Sequence, residues 1–139
     1  MLEGWVNPGV MMEAPKIPRM SILLNRVYDH QAKKVKGEVL ILLVDRLWPR
    51  GIRKEDLPLD LWAKTWAPST ELRQQFHEGR VDFEAFRTAY RTEIEKNGKE
   101  IAEFIKKKHP STLVLLYGLK DPVRNNAAVF KEVLEEWMV

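Results

Sequence analysis

An acidic and two basic side chains follow directly on an unbroken apolar run in this sequence. The run covers residues 39–44, and Asp45, Arg46, Trp48 and Arg50 come after it. Asp45 could act as a catalytic general base or as a metal ligand. The alternative, which we favour, is a strand-end carboxylate that accepts hydrogen bonds from loop amides or pairs with its neighbours. Nearby arginines would lower the pKa of Asp45, which suits an electrostatic anchor better than a base.

Three arginines could together bind a phosphate or carboxylate group. Arg46, Arg50 and Arg73 carry planar guanidinium groups, which make bidentate contacts to such anions. Ser69 precedes a predicted helix, whose free backbone N–H groups and capping hydroxyl would complete an anion seat. The competing interpretation is a structural network in which these arginines pair with neighbouring carboxylates.

Lys64 and Trp48 are further candidates for ligand contacts. Lys64 would add a cation at the anion seat, although it could instead pair with Asp60, four residues earlier on a predicted helix. Trp48 lies among the charged residues and could stack on a nucleic-acid base, although tryptophans more often belong to the core. For both residues a binding role and a structural role are open.

A second group of polar residues follows a second apolar run, at residues 112–117. The group includes Asn125 and Asn126, because an asparagine inside a helix needs a partner for its amide. Arg124 opposes the helix dipole near a predicted helix start, so either Asp121 or a bound anion would offset it. The residues that we predict to form the far wall of a ligand pocket are Tyr117, Lys120, Asp121 and Asn125.

Several kinds of site have no support in the sequence. The absence of cysteine excludes disulfides, thiolate metal ligands and a cysteine nucleophile. His30, His77 and His109 lack the spacing of a zinc site, and we predict no metal. There is also no glycine-rich phosphate loop and no turn of the kind that presents a nucleophilic serine. The sequence does not identify a cofactor.

The two apolar runs predict how the polar residues are brought together. Such runs are typical of strands buried on both faces, and helix signals separate the two. We therefore predict an α/β fold, a single three-layer domain with a small, mainly parallel sheet and helices on both faces. Parallel strands end at one edge of a sheet, so Asp45 and Arg46 should lie near Tyr117 and Lys120.

Capping residues and apolar spacing predict the helices. Residues 58–67 have helical spacing, Ser69 caps the next helix, and Asp82 caps a longer one. Asp121 followed by Pro122 predicts the start of a last helix of about four turns.

Composition and hydropathy indicate the organisation of the chain. It has 139 residues, a net charge of +3 and a pI of about 9.2, which only weakly supports nucleic-acid binding. No segment approaches the roughly 18 apolar residues of a membrane helix, so we expect a soluble protein without a membrane partner. The lack of cysteine fits the cytoplasm.

Residues 1–19 contain three prolines and no periodicity, and we predict an N-terminal extension there, followed by one domain at residues 20–139.

The chain resembles the domain of unknown function 488 family (YeaO-like) in several motifs that occur in order. The resemblance implies a cytoplasmic α/β domain with a shared polar site, and it supplies no established activity. The family commonly has a histidine where this chain has Arg124, and arginine cannot do proton chemistry near neutrality. The matching stretches are residues 44–52, Val-Asp-Arg-Leu-Trp-Pro-Arg-Gly-Ile, with Trp62, Lys64, residues 67–73, Phe83, Phe86, Arg87, Tyr90, residues 115–117, 120–121 and 125–127.

Two functions follow from these residues as hypotheses. The first is a protein that binds or processes a small anionic, phosphate-bearing ligand, with hydrolysis or group transfer as the reaction if it is an enzyme. The second is a nucleic-acid-binding protein without catalysis, which would use the basic cluster between Arg46 and Lys54 together with Trp48. The sequence does not predict an oligomeric state.

Overall fold

A parallel sheet carries the fold in the part of the chain that the computed structural model describes, residues 14–29 and 37–139. The order of its four strands is β1-β4-β2-β3. The predicted α/β class and the parallel sheet are confirmed. The strands are β1 (Ser21–Arg26), β2 (Val39–Leu43), β3 (Leu61–Trp62) and β4 (Thr112–Tyr117), and the α-helices are α1 (Thr70–His77), α2 (Phe83–Lys96), α3 (Gly98–Lys108) and α4 (Asn126–Trp137).

Strand β4 lies between β1 and β2, and its apolar sequence fits that position. Leu113 and Leu115 face a main core that contains the apolar residues of the helices. Val114 and Leu116 face a second core on the other side of the sheet. All four side chains are fully buried. Each stabilises the fold by roughly 1.5–3 kcal/mol, which explains why this strand shows no polar alternation.

The two faces of the sheet are covered differently. Buried side chains of the four described α-helices belong to the main core, among them Leu72, Tyr90, Ile101 and Phe130. The second face is covered by residues 48–62, which contain a 3-10 helix at Lys54–Asp56 instead of an α-helix. The third layer is therefore thinner than the helical layer.

The prediction of a helix over residues 58–67 is wrong. This segment contains β3, followed by a 3-10 helix at Lys64–Trp66. Asp60 joins the segment to β2, because its backbone N–H donates to Ile41 O and its carboxylate accepts from Ile41 N at 2.7 Å. Leu61 then packs on the main core and Trp62 on the second core, which is the alternation of a strand.

The last helix begins later than predicted. Asn125 is its N-cap and accepts from Ala128 N at 2.8 Å, so α4 starts at Asn126. The Asp121 carboxylate instead accepts from the backbone N–H groups of Val123 and Arg124, in a turn before the helix. Asp121 and Asn125 are both good capping residues, and the sequence did not show which one the chain uses.

The described part of the predicted N-terminal extension packs against the domain. Ile17 is buried in the main core, and its backbone N–H donates to Trp137 O at 2.9 Å. Residues 1–13 of the extension and His30 lie outside the described residues. None of the helices in the described ranges has the length and hydropathy needed to cross a bilayer.

Candidate functional site

The carboxyl ends of β2 and β4 meet at one edge of the sheet, as the sequence predicted. The Asp45 carboxylate, just after β2, accepts a hydrogen bond from the backbone N–H of Gly118, just after β4, at 2.9 Å. A Cβ atom on Gly118 would lie 2.9 Å from the same carboxylate oxygen. Glycine is therefore the residue that allows this close approach.

Asn126 brings a third element to the same point. Its side-chain amide donates to the other carboxylate oxygen of Asp45 at 2.9 Å and to the Val44 carbonyl at 2.7 Å. Asn126 is buried, so this polar side chain is satisfied by the strand end that it contacts. Both Asp45 oxygens thus accept hydrogen bonds, and Asp45 joins β2, β4 and α4.

The electrostatics of Asp45 differ from the sequence-based expectation. Burial raises the pKa of Asp45 above its ordinary value, and this effect outweighs the hydrogen bonds from Asn126 and Gly118 and the charge of Arg73, which lower the pKa. The charge of an arginine, Arg73, does lower this pKa, but the expected net lowering is wrong, because loss of hydration is the larger effect. The bonds to both oxygens support the structural interpretation of Asp45 rather than the catalytic one.

Arg46 holds the segment that leads into α1. Its Nε donates to Pro68 O at 2.9 Å, and its Nη2 to Ala67 O at 3.3 Å. The Tyr90 hydroxyl donates to the carbonyl of the residue before Ala67, Trp66 O, at 2.8 Å. Two of the five N–H donors of the Arg46 guanidinium are therefore committed to backbone carbonyls, and those of Nη1 have no partner among the described residues.

The predicted anion seat at Ser69 is filled by the protein itself. Ser69 caps α1 by accepting from Leu72 N at 3.2 Å. The carboxylate of Glu93 accepts from Ser69 N at 2.8 Å and from the Ser69 hydroxyl at 2.6 Å. Because an internal carboxylate occupies the helix amino end, Ser69 does not line the pocket described next.

An inner pocket of about 280 Å³ lies beside Asp45. Arg73 reaches it from α1, and Arg46 and Arg50 reach it from the segment after β2. Within the described residues the guanidinium groups of Arg73 and Arg50 have neither a hydrogen-bond partner nor an ion-pair partner. The remaining walls are largely apolar and include Trp48 and Phe86.

Of Trp48 and Lys64, only Trp48 lines the inner pocket. The Trp48 indole donates to Ile52 O at 2.6 Å and packs edge-on against Trp62, with ring centroids 5.3 Å apart, while it also lines the inner pocket. The Lys64 ammonium lies 5.0 Å from the centre of the Trp62 ring and lines neither pocket of the described residues. The predicted pair of Lys64 with Asp60 on a helix is wrong, because the segment is a strand.

An outer cleft of about 1080 Å³ adjoins the inner pocket, and the two share Arg50, Phe76, His77, Gly118 and Leu119. Lys120 and Asp121 line this cleft, as does Arg124. Asn125 does not, because its buried amide donates to Asp121 O and caps α4. Tyr117 is buried in the main core, and burial raises the pKa of its hydroxyl.

The lining includes residues that the sequence analysis did not assign to the site. They come from the end of β1, with Arg26 and Tyr28, and from the facing ends of α1 and α2, with Phe76, His77 and Phe83. Phe76 and Phe83 have the sequence spacing of core residues and pack against the main core. Each is only partly buried, and each also lines the cleft, which the sequence spacing does not reveal. The wall from β1 could have been inferred from the parallel register that ends β1 beside Tyr117.

Comparison with known protein families shows to which family the chain belongs. Residues 21–139 match the family described as "Inactive DUF488-N3 subclade". The chain belongs to the DUF488 family. The predicted resemblance is confirmed, and the match covers all of the residues that form the inner pocket.

Relatives of this DUF488 protein occur in Escherichia coli and in mycobacteria. The uncharacterised protein YeaO of Escherichia coli K12 is 47% identical over 122 residues, which cover 86% of this chain and 97% of YeaO. The uncharacterised protein Rv3073c of Mycobacterium tuberculosis H37Rv is 36% identical over 93 residues, 67% of this chain and 78% of that protein. The uncharacterised protein Mb3100c of Mycobacterium bovis gives the same values. No solved structure matches the chain.

Proposed function

We propose that this DUF488 protein is a binding protein, without catalysis, for a small phosphate-bearing anion in the inner pocket. Arg73 and Arg50 would contact the anion, and Nη1 of Arg46 would add a third cationic contact. The observation that carries the proposal is the pair of arginines, Arg50 and Arg73, without partners among the described residues, at a pocket where Asp45 and Asn126 already bond to each other.

Binding is favoured over processing for two reasons. The carboxylate of Asp45, which would be the general base, already accepts hydrogen bonds from Gly118 and Asn126. The matching subclade is described as inactive, which supports a family member that keeps a pocket and lacks a reaction. We further propose that the protein acts in the cytoplasm, in keeping with its lack of cysteine.

The alternative of nucleic-acid binding by the basic cluster has less support. Arg53 pairs with Asp56 at 2.8 Å and lies 3.7 Å from Glu55, so its charge is largely balanced. Arg46 is turned toward backbone carbonyls. Lys54 lies 6.0 Å from the Trp48 ring. The cluster therefore offers a nucleic-acid backbone fewer unpaired cations than its sequence suggests.

A ligand-induced shift in thermal unfolding tests the proposal, with inorganic phosphate as the probe. A ligand at about ten times its dissociation constant stabilises the folded state by ~1.4 kcal/mol, which a melting curve resolves. Arg73→Gln should fold and lose the shift. Arg53→Gln is the matched control, because Arg53 belongs to the basic cluster and lines neither pocket, and it should keep the shift.

Two results would contradict the proposal. Equal phosphate shifts in the wild type and in Arg73→Gln would remove the inner pocket as the site. Tight binding of a single-stranded oligonucleotide that is weakened both by Arg53→Gln and by added salt would favour nucleic-acid binding instead.

A further inference from the structure

The outer cleft has an aromatic wall beside the inner pocket. Phe76 and Phe83, with ring centroids 6.1 Å apart, line it, and Phe86 packs against both from the core side. Tyr28 lines it from the end of β1 and is 46% exposed. Three aromatic residues from three separate parts of the fold therefore border one open cleft, where planar rings have surfaces to pack against.

The cleft also has cations without partners at its rim. Arg50, Lys120 and Arg124 have no side-chain partner among the described residues. Taken together, the inner pocket and the outer cleft are lined by six cationic side chains and four carboxylates, a net charge of +2 in a chain whose total is +3. Much of the excess positive charge of the protein thus lies along this one surface.

The carboxylates in the cleft are already engaged with the protein. Asp82 caps α2 by accepting from Ala85 N at 2.9 Å. Asp121 accepts from two backbone N–H groups, which lower the pKa of its carboxyl below the ordinary value. Glu84 lies 3.8 Å from the guanidinium of Arg87. The negative charges of these carboxylates are partly offset by groups of the protein, whereas the positive charges of Arg50, Lys120 and Arg124 have no such partners among the described residues.

We infer that the ligand of this protein is a phosphate ester that carries a planar aromatic ring, the chemistry of a nucleotide. The inference rests on the proposed function, since the phosphate would lie at Arg73 in the inner pocket. The ring would lie in the outer cleft against Phe76 and Phe83, and Arg50, which lines both spaces, would contact the group between them. The aromatic side chains that line the cleft give a planar ring surfaces to stack against.

Binding of four probes by calorimetry tests the inference: inorganic phosphate, ribose 5-phosphate, adenosine and adenosine monophosphate. Ribose 5-phosphate and inorganic phosphate should bind, and adenosine monophosphate should bind about 10-fold more tightly than ribose 5-phosphate, within the range that base stacking supplies. Phe83→Leu should remove most of this difference and leave ribose 5-phosphate binding unchanged. Arg73→Gln should weaken all three phosphate-bearing probes.

The outcomes separate the inference from the proposed function. Equal affinity for ribose 5-phosphate and adenosine monophosphate in the wild type would overturn the inference alone. Failure of the wild type to bind either inorganic phosphate or ribose 5-phosphate would overturn the proposed function, and the inference with it. If Phe83→Leu fails to fold, saturation-transfer NMR on the wild type decides the matter: transfer strongest to the ring protons of adenosine monophosphate supports the inference, and transfer strongest to its ribose protons contradicts it.

Discussion

The side-chain amide of Asn126 donates to the carboxylate of Asp45 at 2.9 Å, across 81 positions of the chain. The same amide donates to the Val44 carbonyl, so the first turn of α4 is fixed to the end of β2 by two hydrogen bonds from one group. Gly118 contributes the third bond from the end of β4. This junction forms one side of the inner pocket and holds its shape.

Asn126→Ala should destabilise the protein by removing the donor of two buried acceptors. An acceptor left unsatisfied costs ~1–3 kcal/mol, so we expect a loss of about 2 kcal/mol or more in the free energy of unfolding measured with urea. The control is Glu135→Ala, an exposed change on the same helix, which should stay within about 0.5 kcal/mol of the wild type. Similar losses in both variants would show that the junction contributes nothing specific.

Asp45→Asn should change the pH dependence of stability in a defined direction. Because burial raises the pKa of Asp45, the folded state holds a proton that the unfolded chain has already lost, so the contribution of Asp45 to the free energy of unfolding falls as pH rises. The wild-type free energy of unfolding minus that of the variant should therefore decrease as pH rises above the ordinary pKa of an aspartate. A difference that increases with pH would mean that the pKa of Asp45 is lowered in the folded state.

Gly118→Ala should disturb the same junction by steric contact. The new Cβ would lie 2.9 Å from the Asp45 carboxylate, and the carboxylate cannot withdraw without weakening its bonds. We expect a loss of ~1–3 kcal/mol in the free energy of unfolding. In an Asp45→Ala background the same change should cost clearly less, since the contacted atom is gone. Equal costs in the two backgrounds would place the effect elsewhere.

Ser69 and Glu93 should behave as a coupled pair in a double-mutant cycle. Glu93 accepts from both the backbone and the hydroxyl of Ser69, so Ser69→Ala removes part of what Glu93→Ala removes. We expect a coupling energy of ~0.5–3 kcal/mol from urea unfolding of the two single variants and the double variant. Glu95→Ala, an exposed change on the same helix, should show no coupling with Ser69→Ala. Additive effects of Ser69→Ala and Glu93→Ala would mean that the carboxylate does not hold this helix end.

The helix and strand boundaries show where local signals were sufficient. The predicted strand over residues 112–117 is confirmed residue for residue as β4, because an unbroken apolar run suits a strand covered on both faces. Asp82 caps α2 as predicted, since the cap depends only on residues three positions apart. The prediction of a helix over residues 58–67 was wrong because apolar spacing does not distinguish a short strand from a helical turn.

The sequence by itself determined that polar residues from two strand ends would meet, because parallel strands end on the same side of a sheet. Only the tertiary structure decided what each of them contacts. Glu93 fills the seat at Ser69, Arg46 faces carbonyls, and Asn126, not Asn125, reaches Asp45. Such choices depend on partners dozens of positions away, and on the loss of hydration that folding imposes, which local sequence patterns do not encode.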